Sequence, residues 1–100
     1  MAKREQMRAK ANPEYGEIKT QRHLGRLARE QRRYLGMTLE EFYESSGIST
    51  RFMSELERGK IDSVGRLIRV LNMLGLELVV LPRTQIDTLR SSFRKQGYNE

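Results

Sequence analysis

A chain of 100 residues has room for one domain, and so small a core leaves stability marginal unless self-association adds to it. The sequence has no cysteine, which excludes disulfide staples and thiolate metal sites. Nineteen Lys and Arg against thirteen Asp and Glu give a net charge of +6, and such a surface attracts polyanions, nucleic acid foremost.

Residues 1–17 are polar and basic, with Lys3, Arg4, Arg8 and Lys10, and are broken at Asn12-Pro13 and Gly16. A short helix over 3–11 would have nothing to bury it, so 1–19 reads as a flexible basic arm. The first residues form no apolar signal core, and no run reaches the ~18–20 apolar residues of a membrane span. A cytoplasmic, nucleoid-associated protein away from membranes is expected.

From Thr20 the pattern turns helical, with Leu24, Leu27, Ala28 and Leu35 on one face and Gly36 as the stop. Arg22, Arg26, Arg29 and Arg33 form a stripe opposite, read as a solvated helix back rather than a phosphate track. Thr38, followed by Glu41 three residues later, is a capping box opening a short helix that Ser46-Gly47 ends; Phe42 points inward, with Tyr43 a second candidate. Ser49 caps a third helix to about Arg58. It carries Phe52, Met53 and Leu56 on one side and Arg51, Ser54, Glu55 and Arg58 on the other, and Gly59-Lys60 closes it. Ser63 caps a fourth, whose Val64, Leu67, Ile68, Leu71 and Leu74 form a wide apolar stripe ending at Gly75. The period then changes. Leu76-Glu77-Leu78-Val79-Val80-Leu81-Pro82 reads as a β-strand stopped by proline. The tail, 83–100, has Ile86, Leu89 and Phe93 at near-helical spacing.

Two short capped helices around a glycine turn form a helix-turn-helix pattern. A helix that reads DNA must stand proud of the body to enter a major groove about 12 Å wide, with an apolar inner face and a polar outer one. Helix 49–58 meets both demands, which puts the reading unit in domain 20–82. A single strand leaves its N–H and C=O groups unpaired, so the simplest partner is the same strand of a second copy about a two-fold axis. Leu76, Leu78, Val79, Val80 and Leu81 would then form the homodimer contact; packing within one monomer is the alternative.

An enzyme is not expected. His23 is the only histidine, the carboxylates sit on exposed helix positions, and no catalytic, cofactor or metal-ligand spacing is present. The rival is a protein-interaction module whose contacts lie on the arm, the arginine stripe, or the tail around Phe93 and Tyr98.

The stretches Leu24-Gly25-Arg26-Leu27-Ala28, Leu35-Gly36-Met37-Thr38, Gly47 to Lys60, and Leu67-Ile68-Arg69-Val70-Leu71 carry a resemblance to known proteins. Residues 24–81 resemble the lambda-repressor/Cro (XRE) helix-turn-helix domains, and among them the HipB-like antitoxins. The resemblance implies an all-α, lambda-repressor-like bundle with one C-terminal strand paired across a homodimer. It implies base reading of an inverted-repeat operator in double-stranded DNA by Thr50, Arg51, Ser54 and Glu55, with phosphate contacts from Thr38, Arg58 and Lys60. In that set Arg51 suits guanine, whose O6 and N7 arginine bonds bidentately, and Glu55 either accepts from a cytosine amino group or pairs with Arg51 and orients it. It further implies a repressor that is the autoregulating antitoxin of a HipA-like serine/threonine kinase toxin; a plain XRE repressor with no toxin partner is the alternative. Two positions depart from the family pattern. Leu39 stands where a phosphate-touching Gln is common, and Tyr43 where a small residue lets the two helices cross closely.

Overall fold

The computed structural model describes residues 3–95, with side chains to Ser92; Phe93 as a side chain and Tyr98 lie outside the described residues. Six helices follow one another: α1 (Lys3–Lys10), α2 (Gln21–Tyr34), α3 (Leu39–Ser46), α4 (Thr50–Glu57), α5 (Val64–Met73) and α6 (Arg83–Lys95).

Local chemistry sets the boundaries of the middle four. Each starts on a hydroxyl that accepts the N–H three residues on, satisfying a donor the helix itself leaves orphaned. The pairs are Thr20 with His23, Thr38 with Glu41, Ser49 with Phe52 and Ser63 with Arg66, at 3.0–3.2 Å. The capping box at Thr38 is closed on both sides, since the Thr38 N–H reaches Glu41 Oε1 at 2.9 Å. Gly47 ends α3 with φ at 77°, a left-handed turn that any Cβ would strain.

The core collects one face from each of these helices and from the α3–α4 turn. Ala28, Phe42, Ile48, Met53, Leu56, Leu67, Val70, Leu71 and Leu74 form one buried cluster, with Leu24, Met37, Leu39 and Phe52 packed against its edge. The stripe expected on α5 is narrower than its sequence suggests. Leu67, Leu71 and Leu74 go inside, whereas Val64 and Ile68 are exposed, because nothing in the single chain covers the flank they share.

Residues 76–82 carry no regular secondary structure, and there is no strand among the described residues. A strand exists only as a pair, and no described segment offers a second edge. Leu78, Val79 and Val80 therefore stand 47%, 65% and 88% exposed.

Residues 3–19 are more ordered than their composition suggests. Asn12 N–H donates to Glu30 Oε1 at 2.9 Å, and the Tyr15 hydroxyl to Gln31 Oε1 at 2.6 Å. Buried Gln31 continues the chain of bonds, its Nε2 donating to the Leu74 carbonyl at the end of α5. Burial would push the Glu30 carboxyl up. The Asn12 N–H and the neighbouring Arg33 and Arg29 outweigh it and hold Glu30 below its ordinary value. Arg90 on α6 grips both oxygens of Glu17, so arm and tail are tied to each other.

Candidate nucleic-acid interface

Helix α4 is anchored from within. Met53 and Leu56 are fully buried, and the C-terminal end is fastened to α2 by an ion pair that is itself buried. Arg32 holds Glu57 through two bonds, Nε to Oε2 at 2.7 Å and Nη2 to Oε1 at 3.0 Å, and its Nη1 donates to the Met37 carbonyl at 2.7 Å. Gly25 makes the approach possible. A Cβ there would lie 2.8 Å from the Gly59 nitrogen and 3.0 Å from the Glu57 oxygen. The preceding turn is pinned as well, since Ser46 Oγ donates to the Phe42 carbonyl and accepts the Ile48 N–H, while Arg69 donates to the Ser46 carbonyl.

The outer face carries the polar groups. Arg51 has 91% of its side chain in solvent, and its Nε donates to Glu55 Oε1 at 3.2 Å. So exposed a pair adds little stability, but it orients the guanidinium along α4. Thr50 and Ser54 are half-buried beside it, and Arg58 and Lys60 are exposed at the far end. Thr38 lies apart from them, at the start of α3. A depression of about 520 Å³ brings Arg51, Phe52, Glu55 and Lys60 together with Arg66 of α5. The Arg66 guanidinium sits 5.3 Å from the centre of the Phe52 ring, a cation–π distance.

The two departures from the family pattern have structural outcomes. Tyr43 is 51% exposed and so swings out of the α3–α4 crossing. Leu39 packs on the core edge instead of facing outward. The Thr38 N–H is occupied by Glu41, which leaves the Leu39 and Glu40 amides as the first-turn donors without an intrahelical acceptor. Glu41 itself is held below the usual carboxylate range by that N–H and by Arg4.

Three residues of this surface escape sequence reading. Arg32 continues the Ala28 side of α2, and that i, i+4 spacing was a signal for burial. Arg66 and Arg4 reach the surface through tertiary packing and carry no local signal. His23 Nε2 is buried without a hydrogen-bond partner. No group of three or more His, Cys, Asp or Glu able to hold a metal occurs among the described residues, and no helix there is long and apolar enough to cross a membrane. Compared with known proteins, the chain matches no family model, no curated protein and no solved structure.

Proposed function

We propose that this protein is a sequence-specific DNA-binding transcriptional repressor that lays α4 in the major groove. The observation carrying the proposal is Arg51: fully outward, on a short helix capped at its start and locked at its end. Its neighbours along the same surface, Arg58, Lys60 and Arg66, supply the positive charge a phosphate backbone requires. Thr50, Ser54 and Glu55 complete the edge-reading set, and Thr38 at the start of α3 is a separate phosphate contact.

The repressor acts as a homodimer. Support comes from the uncovered apolar residues Val64, Ile68, Leu78, Val79 and Val80, which a second copy would bury while pairing residues 76–82 as antiparallel strands. The resemblance to HipB-like antitoxins extends the proposal to a HipA-like serine/threonine kinase toxin as partner, with the repressor controlling its own operon. The second reading, an interaction module whose main task is toxin binding, is favoured by Leu89 of α6, which is 40% exposed.

Arg51→Ala is expected to cost about 1–3 kcal/mol on a selected operator and to relax specificity at one base pair. Lys60→Ala should weaken all sequences alike and lower the salt slope by about one unit. Anisotropy titrations on operator and random duplex distinguish them. Equal losses on both duplexes for Arg51→Ala would remove its base-reading role.

A further inference from the structure

Helix α1 has eight residues, none of them buried, so neither its length nor a hydrophobic face accounts for its place. Arginine does. Arg4 and Arg8, one turn apart on the same face, both reach the corner between α2 and α3. Arg4 Nη2 binds Glu41 Oε2, and Arg8 lies over Gly36 with its Nη2 3.5 Å from the Leu35 carbonyl. With Lys3 and Lys10, four bases stand against the single acid Glu5.

Glu41 explains why charge is needed there. The capping box requires its carboxylate at the start of α3, beside Glu40, and two acids at that end repel a phosphate backbone. One Glu41 oxygen takes the Thr38 N–H and the other takes Arg4, so the repulsion is neutralised by α1. The Arg4 side chain remains 49% exposed, and the bond to Glu41 engages one of its two Nη atoms. The remaining donors of a planar guanidinium suit a phosphate oxygen pair.

We propose that α1 is a phosphate clamp, in which Arg4, assisted by Lys3, binds the DNA backbone beside the start of α3 while shielding it from Glu41. This rests on the DNA-binding reading and extends the contact surface beyond α4.

The test is binding of the full chain to a random-sequence duplex, followed by anisotropy across about 50–200 mM salt. Arg4→Ala should weaken binding several-fold and lower the slope of log K against log salt by about 0.9, the share of one phosphate. Arg4→Lys should keep the slope. Adding Glu41→Gln to Arg4→Ala, which leaves the capping box intact, should recover part of the affinity without restoring the slope. An unchanged slope for Arg4→Ala, in a wild type that binds with normal salt dependence, overturns the clamp and leaves α4 as the reading helix. A wild type that shows no salt-dependent binding overturns both.

Discussion

Glu57→Ala is expected to destabilise the fold by about 3–5 kcal/mol, the cost of stranding a buried guanidinium without its partner. Arg32 and Glu57 have only 9% and 7% of their side chains in solvent, so water cannot replace the lost bonds. Small domains have about 5–15 kcal/mol in total, and a loss of this size would populate the unfolded chain at ambient temperature. Replacing both partners with apolar residues of similar volume, Arg32→Met with Glu57→Leu, should restore most of the stability, because no charge is then left buried. Urea unfolding of the three proteins checks this. A single-variant loss below about 1 kcal/mol, the worth of an exposed pair, would mean that the ion pair is solvated.

The second large effect is expected at Gly25. The atoms a methyl group would meet are backbone of α4 and its closing turn: the Leu56 carbonyl, the Gly59 nitrogen and the Glu57 oxygen. None can rotate aside, so Gly25→Ala must drive α2 and α4 apart. Overpacking of this kind costs about 1–3 kcal/mol, which outweighs the roughly 1 kcal/mol alanine returns in helix propensity. Gly65 on α5 is the internal control. A Cβ there meets nothing within 4 Å, so the same substitution should stabilise by up to about 1 kcal/mol. Calorimetry would thus read opposite shifts in Tm for one chemical change. A drop at Gly65, or none at Gly25, would contradict the packing described. Since α2 fastens the end of α4, Gly25→Ala should also weaken DNA binding at temperatures where the variant remains folded.

What was legible in the sequence was local chemistry. Thr38 with Glu41, Ser49 and Ser63 announce helix starts through hydroxyls three residues ahead of an N–H, and Gly47 announces a left-handed stop. The outward set on α4 follows from helical period once Met53 and Leu56 are placed inside. What was not legible depends on distant partners. The 1–19 arm is polar and reads as loose, yet Asn12, Tyr15 and Glu17 each find a single side-chain partner far along the chain. Arg32 shares the buried side of α2 with Ala28, but the partner that lets it stay charged there, Glu57, lies on another helix and leaves no local trace. The apolar pattern of 76–81 is a strand signal, but a strand is a property of two segments and the chain by itself supplies one.

The central claim is that α4 reads duplex DNA in a two-fold assembly, and selection from a random duplex pool tests it most directly. The predicted result is enrichment of an inverted repeat with half-site centres about 34–36 Å apart, bound with affinity that falls steeply with salt. A pool that shows no enriched sequence, with binding absent or indifferent to salt, would contradict it.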